Sequence, residues 1–212
     1  MASPALYVFS ELDKIDEQIY EESLSQASAQ RREKVLKLKF HEGRVLSLSA
    51  YRLLCFALKS KNAEFSYNEY GKPLSVDAPH FNIAHSKGLA ACVTAASPIG
   101  VDVELIKPYP EKILKRVLTE NEIRQVASAN NPGHAFFTFW TLKESYIKAI
   151  GKGLSFPLLN VEFVLADKIE CSDPGYEFTS RQFGSHIIST CAEKGAGDIS
   201  FNEVSLSKLI KA

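Results

Sequence analysis

The sequence has no excess charge of either sign, because its 212 residues include 25 Lys and Arg and 25 Asp and Glu. Proteins that bind nucleic acid through bulk electrostatics are typically basic, so we expect no nucleic-acid partner. No apolar run approaches the ~20 residues that span a bilayer. Residues 1–20 also lack the basic-then-apolar pattern of a secretory signal. We therefore expect a cytoplasmic protein with no membrane partner.

Cysteine is also scarce and widely spaced. Cys55, Cys92, Cys171 and Cys191 form no Cys-x-x-Cys pair, so neither a disulfide framework nor a zinc site is indicated. We expect reduced, mostly buried thiols. Apolar residues make up 45% of the chain, which is enough to bury a core as one domain or as two packed halves.

Apolar periodicity and turn residues predict a mixed fold of helices and strands. The predicted strands are residues 5–9, 64–67, 81–83, 89–94, 100–104, 161–165, 176–183, 185–191 and 199–204. Helices are predicted before residue 60 and at residues 110–117, 120–129 and 135–150. Ser97 and Pro98 are a turn signal between the two halves of the chain. We therefore predict an N-terminal subdomain of residues 1–98 and a C-terminal subdomain of residues 99–212.

The predicted helix near residues 136–150 carries an acid and a base one turn apart. It follows an Asn-Pro-Gly triplet and ends before Gly151, which are start and stop signals. Residues four apart share a helix face, so Trp140, Glu144 and Lys148 should form one stripe. By itself, such a pair is typical of an exposed Glu–Lys contact on an ordinary amphipathic helix.

An acidic pair precedes this helix in the predicted strand at residues 100–104. Alternation places Asp102 and Glu104 on the same face of the strand. Two such carboxylates repel unless solvent or a cation separates them, and hard oxygen ligands suit Mg²⁺. An isolated pair is typical of an exposed acidic edge. With Glu144 and Lys148, however, the set suits metal-assisted chemistry on a phosphate ester.

Four segments in this order resemble the 4′-phosphopantetheinyl transferase superfamily, and most closely its surfactin-synthetase-activating type. The segments are YGKP at 70–73, FNIAHSKGL at 81–89, GVDVE at 100–104 and WTLKESYIK at 140–148, followed by GKGLSFP at 151–157. The resemblance covers at least residues 70–157. The motifs Gly-[Val/Ile]-Asp-[Val/Ile]-Glu and Trp-x-x-Lys-Glu-[Ser/Ala]-x-x-Lys are specific in combination.

The resemblance implies both a fold and an activity. The fold is α+β, with two similar subdomains related by pseudo-twofold symmetry and coenzyme A in the cleft between them. Such enzymes move the 4′-phosphopantetheine arm of coenzyme A to a serine of an acyl or peptidyl carrier protein and release 3′,5′-adenosine bisphosphate. The implied cofactor is Mg²⁺, with Mn²⁺ as the alternative, and a monomer is expected.

The resemblance also implies a role for each site residue. Asp102, Glu104 and Glu144 would be the metal ligands. Lys148 would lie against the pyrophosphate of coenzyme A, adding positive charge where negative charge develops.

Glu122 is the implied catalytic base, although two alternatives stay open. A metal-bound hydroxide could accept the serine proton instead, because coordination lowers the pKa of water. Thr119 followed three residues later by Glu122 also matches a capping box at a helix start. This pattern would give Glu122 a purely structural role.

The implied coenzyme A contacts begin in the centre of the chain. Lys72 resembles the position that contacts the adenine end, and His85 the position that contacts a phosphate. Family members often have Ser before this His, where this chain has Ala84. A backbone N–H or the hydroxyl of Ser86 would then replace the missing contact.

Further phosphate contacts are expected in the basic N-terminal region. Arg31, Lys34 and Arg44 are the candidates there, since Arg offers a bidentate fork and Lys a point charge. The alternative is a solvated basic helix face.

Two other functions use the same residues. A different Mg²⁺-dependent phosphotransferase or phosphodiesterase would need the carboxylates but no carrier protein. A coenzyme A-binding protein without turnover would keep the cleft, yet it would have no need of Asp102, Glu104, Glu144 and Lys148 together.

Overall fold

The structure is a computed structural model that describes residues 3–75 and 79–211. Within these ranges the strands are β1 (Ala5–Phe9), β2 (Ser66–Tyr67), β3 (Pro73–Leu74), β4 (His80–Ser86), β5 (Leu89–Ala95), β6 (Ile99–Leu105), β7 (Phe163–Leu165), β8 (Ile169–Cys171), β9 (Tyr176–Phe183), β10 (His186–Glu193) and β11 (Ser200–Glu203). The helices are α1 (Glu17–Gln26), α2 (Ala29–Leu36), α3 (His41–Leu58), α4 (Leu114–Val117), α5 (Glu120–Ser128), α6 (Pro132–Ile150) and α7 (Leu206–Leu209).

Two main sheets organise these strands, which confirms the predicted α+β class. The larger sheet runs β11-β1-β5-β4, with β1 antiparallel to β5 and parallel to β11. The smaller sheet runs β6-β10-β9 and is antiparallel throughout. Two short antiparallel ladders, β2-β3 and β7-β8, complete the pairing of the described strands.

Helix α3 packs on the larger sheet and forms the core of the N-terminal half. Tyr51, Leu53 and Leu54 are fully buried there with Phe9 of β1. The Tyr51 hydroxyl donates to Ala63 O at 3.2 Å and accepts from Ala63 N at 3.1 Å. These bonds fix the chain that leaves α3 and continues towards the 70–73 turn.

Helix α6 packs across β6 and β10 and forms the core of the C-terminal half. A Cβ atom at Gly100 would lie 2.0 Å from Ser145 O and 2.6 Å from Ala149 N. Only glycine therefore lets the α6 backbone approach β6 so closely. This approach brings Asp102 of β6 beside the side chains that α6 presents.

The partly exposed stripe of α6 is the predicted one. Trp140, Glu144 and Lys148 are partly exposed, whereas the residues between them are buried. Helical periodicity thus identified the face of α6 that is not in the core.

The two sheets meet where β6 packs beside β4. Asn82 Oδ1 on β4 accepts a hydrogen bond from Val101 N on β6 at 3.1 Å. Val93 and Ile99 belong to the apolar cluster that spans both sheets. The division into residues 1–98 and 99–212 stays a prediction, and β11 returns from the second part to pair with β1.

Some predicted boundaries differ from the structure. The helix expected at residues 110–117 is a 3₁₀ turn, Glu111–Ile113, followed by the short α4. The four cysteines are free, and Cys55, Cys92 and Cys191 are buried, as predicted. Across the described part of the chain, no helix combines the length and apolar character needed to cross a membrane.

Candidate active site

A cleft of about 400 Å³ lies where α2, β4 and the end of α6 converge, within the size range of small-molecule sites. Its lining residues are Arg31, Lys34, Ser47, Tyr70, Gly71, Lys72, Pro73, Asn82, Ile83, Ala84, His85, Ile147, Lys148, Gly151 and Gly153. Among these lining residues, Arg31 and Lys34 come from α2, Lys72 and Lys148 add two more positive charges, and none is a carboxylate. The cleft therefore suits an anionic ligand.

Helix α2 supplies the first basic wall, which contains the predicted phosphate contacts Arg31 and Lys34. The Arg31 guanidinium is 8% exposed and donates through Nη2 to the Ser47 hydroxyl at 2.8 Å and to the Ser47 carbonyl. Burial, and then the charge of Arg31, lowers the pKa of Lys34. A bound phosphate would favour the charged form of this lysine, because an opposite charge nearby stabilises it. Ser47 carried no motif signal and was missed from the sequence.

The turn after β2 supplies the second basic group, Lys72. Its Nζ donates to Ala149 O at 2.9 Å, and burial lowers its pKa. Asn68 builds the turn: its Oδ1 accepts from Lys72 N at 2.8 Å, and its Nδ2 donates to Gly151 O at 2.8 Å. Lys72 and Asn68 thus connect the turn to the end of α6. Asn68 also carried no recognisable signal in the sequence.

His85 and Ser86 leave β4 in different environments. His85 lines the cleft, and burial with the positive charges of Lys148 and Arg31 lowers its pKa. Ser86 does not line the cleft: its hydroxyl donates to Glu104 Oε2 at 3.2 Å and accepts from Leu105 N at 3.2 Å. The structure therefore pairs Ser86 with a carboxylate rather than bringing it to the expected phosphate position.

The acidic residues meet behind the cleft, where α6 crosses β6. Lys148 Nζ donates to Asp102 Oδ1 at 2.6 Å. The other oxygen, Oδ2, is buried and accepts no hydrogen bond from any described residue. Since unpaired buried polar atoms are costly, this oxygen marks a place where a cation or donor would be stabilised.

The three predicted metal ligands all have raised pKa values. Burial raises the pKa of Asp102, and Lys148 opposes this rise. Burial and then the charge of Asp102 raise the pKa of Glu104. The same two causes raise the pKa of Glu144, with Glu104 adding to the rise. A positive charge among these carboxylates would relieve their repulsion.

The donor set fits a hard divalent cation in its chemistry. It offers carboxylate oxygens only, which Mg²⁺ prefers, and one of these oxygens is unpaired. Within residues 3–75 and 79–211, however, no three His, Cys, Asp or Glu side chains are already arranged around one metal position. Asp102, Glu104 and Glu144 are therefore candidate metal ligands.

Arg44 is not among the residues that line the cleft, and its predicted phosphate contact stays a prediction. Its Nε donates to Leu38 O at 2.8 Å and its Nη2 to Leu36 O at 3.3 Å. The guanidinium thus satisfies the carbonyl of Leu36 at the end of α2, which lacks an intrahelical partner, and the carbonyl of Leu38 in the link to α3. The basic pattern of the sequence could not separate this role from ligand binding.

Glu122 is not brought to the cleft either, and its structural alternative is confirmed. The capping box is present: Thr119 N donates to Glu122 Oε2 at 2.8 Å, and Glu122 N donates to Thr119 Oγ1 at 3.3 Å. The Glu122 side chain has no exposed surface and is ion-paired with Lys143 at 2.8 Å. This burial favours the structural role, and a catalytic role for Glu122 stays a prediction.

Comparison with known proteins identifies the family. Residues 98–197 match the family described as the 4′-phosphopantetheinyl transferase superfamily. A 4′-phosphopantetheinyl transferase of Bacillus subtilis is 34% identical over 155 residues, which cover 68% of this chain and 69% of that protein. The chain belongs to the 4′-phosphopantetheinyl transferase superfamily.

Two further relatives confirm the resemblance to the surfactin-synthetase-activating type. The 4′-phosphopantetheinyl transferase gsp of Aneurinibacillus migulanus is 39% identical over 115 residues, 53% of this chain and 48% of that protein. The 4′-phosphopantetheinyl transferase Sfp of Bacillus subtilis strain 168 is 39% identical over 107 residues, 49% of this chain and 48% of that protein. The chain spans about half the length of these two curated relatives.

Proposed function

We propose that this chain transfers the 4′-phosphopantetheine arm of coenzyme A to a serine of an acyl or peptidyl carrier protein. The serine oxygen forms a bond to the phosphorus that carries pantetheine, and the bond from this phosphorus to the bridging oxygen breaks. 3′,5′-Adenosine bisphosphate leaves with the bridging oxygen, and the serine proton is lost. The single observation that carries the proposal is a basic cleft whose lining residue Lys148 is ion-paired with the buried carboxylate of Asp102.

The basic walls would bind the nucleotide of coenzyme A. Arg31 and Lys34 provide positive charge on one side, and Lys72 with His85 on another. Arg31 is already oriented by Ser47, so it loses little conformational entropy when it meets a phosphate. Coenzyme A carries its charge on the 3′-phosphate and the pyrophosphate, which matches separated basic groups in one cleft.

The carboxylates would hold Mg²⁺, with Mn²⁺ as the alternative, through Asp102, Glu104 and Glu144. Such an ion neutralises phosphate charge and stabilises the leaving group. Lys148 links the two parts of the site, because it lines the cleft and contacts Asp102. From this position its ammonium group can stabilise charge on the pyrophosphate as the bond breaks.

Several wider features belong to the same proposal. We propose a cytoplasmic monomer whose partners are coenzyme A and carrier proteins. We also propose that residues 1–98 and 99–212 form the two subdomains on either side of the cleft. The α2, α3 and β4 residues of the site fall in the first part, and the β6 and α6 residues in the second.

Intact-mass spectrometry of an apo carrier protein tests the reaction. The carrier is incubated with coenzyme A, Mg²⁺ and the wild-type chain, Glu144→Ala or the exposed control Glu21→Ala. The expected result is a gain of one phosphopantetheine on the carrier serine with wild type and control, lost with Glu144→Ala or a chelator. Removing one such electrostatic contact lowers rates by about 100-fold or more.

Two results would contradict the proposal. Consumption of coenzyme A without carrier modification would indicate a phosphodiesterase. Coenzyme A binding with no turnover on several unrelated carriers would indicate a binding protein.

A further inference from the structure

Lys143 lies beside the cleft residues in sequence but not in space. It directly precedes Glu144 on α6, and adjacent helical residues point about 100° apart. Its side chain is 1% exposed. Its ammonium group donates to Glu122 Oε2 at 2.8 Å, to Leu158 O at 2.8 Å and to Val161 O at 2.6 Å. Three N–H donors meet three acceptors, so none is left for a phosphate.

Glu122 accepts three hydrogen bonds inside the protein. Its Oε2 accepts from Lys143 Nζ and from Thr119 N, and its Oε1 accepts from Phe163 N at 2.9 Å. The side chain has no exposed surface. A catalytic base needs a lone pair within reach of the substrate proton, and this carboxylate has no solvent access.

The pair connects three parts of the chain that form the C-terminal side of the site. Lys143 belongs to α6 and Glu122 to the first turn of α5. Their shared partners, Leu158, Val161 and Phe163, lie in the segment that continues from the end of α6. The beginning of this segment lines the cleft at residues 151 and 153.

The same contacts restrict rotation of α6 about its axis. A helix held at Lys143 on its buried side must present Glu144 and Lys148 in a defined direction, because the three side chains share one rigid backbone. The other side of the helix end is held by Lys72 through Ala149 O. Both the carboxylate cluster and the cleft wall therefore depend on how α6 is fixed.

Apolar packing alone would not supply this geometry. Buried ion pairs contribute little net stability compared with well-packed apolar residues. The Lys143–Glu122 pair instead supplies five directed hydrogen bonds, three of them to backbone atoms of residues 158–163 and one to Thr119 N. Directed bonds fix position, which is what a binding wall requires.

We propose that Lys143 and Glu122 are a buried pair of positioning residues that sets the orientation of α6 and of the segment at residues 151–163. They act on phosphopantetheine transfer through Glu144, Lys148 and the cleft wall, and neither touches coenzyme A or accepts the serine proton. This inference rests on the proposed function for its kinetic part. Its structural part is tested without turnover.

The first test uses Glu122→Gln, with Glu162→Gln as the matched control in the same segment. In one orientation the new amide NH₂ faces two donors, Lys143 and Thr119, and in the other it faces one, Phe163 N. The second orientation leaves fewer donors unpaired, so Phe163 N is expected to lose its acceptor. We expect faster hydrogen exchange of the Phe163 amide. We also expect a fall of about 10- to 100-fold in kcat/KM, since small displacements have effects of this order, arising mainly through KM for coenzyme A.

The shape of the pH profile separates positioning from base catalysis. The positioning role predicts that Glu122→Gln leaves the acidic limb of the kcat profile unchanged. Loss of that limb, with kcat lowered about 10²- to 10⁴-fold as for a missing base and with unchanged Phe163 exchange, would overturn the inference. If wild type modifies no carrier, the proposed function fails, and Phe163 exchange still decides the structural part.

A double variant covers the case in which Glu122→Gln does not fold. Glu122→Gln with Lys143→Met removes both charges, so no buried charge is left unpaired. We expect this protein to fold and, at saturating coenzyme A, to retain kcat within about 10-fold of wild type, well short of the loss of a catalytic group. A folded double variant whose kcat falls about 10³-fold or more would contradict the inference.

Discussion

Two lysines on α6 each pair with a carboxylate, yet the pairs differ in what they leave unsatisfied. In the inner pair, Lys143 and Glu122 use their donors and acceptors on one another and on the backbone. In the cleft pair, Lys148 makes one described contact, and Asp102 Oδ2 accepts no described bond. Ion pairing alone therefore does not identify an active site. Unused hydrogen-bonding capacity beside a cleft is the better indicator.

Breaking the inner pair should have the largest effect on stability. Lys143→Met leaves Glu122 charged, buried and short of a partner, so we expect a loss of about 3–5 kcal/mol in the free energy of unfolding. Urea unfolding measures it. Lys148→Met should lose clearly less of the free energy of unfolding, because Lys148 is 28% exposed and ion pairs that reach solvent contribute less to stability. Equal losses for the two variants would remove the distinction between the pairs.

Breaking the cleft pair should have the largest effect on turnover among well-folded variants. Lys148→Met removes positive charge from the pyrophosphate position, and we expect kcat/KM for carrier modification to fall about 100-fold or more. Lys152→Met is the control, since that lysine lies four residues further along, beyond the end of α6, and contacts Phe156 instead. A Lys148→Met enzyme as active as the control would show that Lys148 only stabilises Asp102.

A third prediction concerns the orientation of Glu104. Because the Ser86 hydroxyl donates to Glu104 Oε2, Ser86→Ala should weaken Mn²⁺ binding about 10-fold, as expected when a metal ligand loses its outer partner. Mn²⁺ binding is measured by electron paramagnetic resonance in the absence of coenzyme A. Ser86→Thr keeps the hydroxyl and should restore affinity. If Ser86→Ala instead changed only KM for coenzyme A, the predicted phosphate contact would be the better interpretation.

The smallest expected effect is a pH dependence at Lys72. Burial lowers its pKa below the ordinary 10.5, so between the lowered value and 10.5 the folded protein binds fewer protons than the unfolded chain. Stability from this group therefore rises with pH across that window. Coenzyme A affinity should fall there, since the ammonium is lost. Calorimetric titration of Lys72→Arg, which stays charged, should show a flatter pH dependence than wild type.

The strongly periodic parts of the site were predictable from the sequence. The α6 stripe follows from the helical repeat, and the shared face of Asp102 and Glu104 follows from strand alternation. The resemblance then linked these local patterns and led to the cleft residues on α2 and β4. Local geometry and motif order therefore carried most of the prediction.

The remaining residues depend on partners far away in sequence. Ser47 and Asn68 are neutral, and their roles arise from contacts with Arg31 and with Gly151. Arg44 bonds to backbone carbonyls, which no pattern of side chains encodes. The pairing of β11 with β1 joins opposite ends of the chain. Tertiary contacts of this kind leave no periodic signal.

Glu122 shows how one pattern can support two interpretations. The same acidic residue fitted both a capping box and a catalytic base. The Lys143 contact and complete burial favour the structural role. Neither burial nor a partner 21 positions along the chain could be read from the local sequence.

The most direct test of the account compares two matched double variants in single-turnover transfer to an apo carrier protein. Glu122→Gln with Lys143→Met removes the inner pair, and Asp102→Asn with Lys148→Met removes the cleft pair. With saturating coenzyme A and Mg²⁺, intact-mass spectrometry should show phosphopantetheine on the carrier serine for the first variant and none for the second. Transfer by the cleft variant would contradict the assignment of catalysis to the cleft pair. Loss of transfer in the inner variant alone, with that variant folded, would contradict it as well.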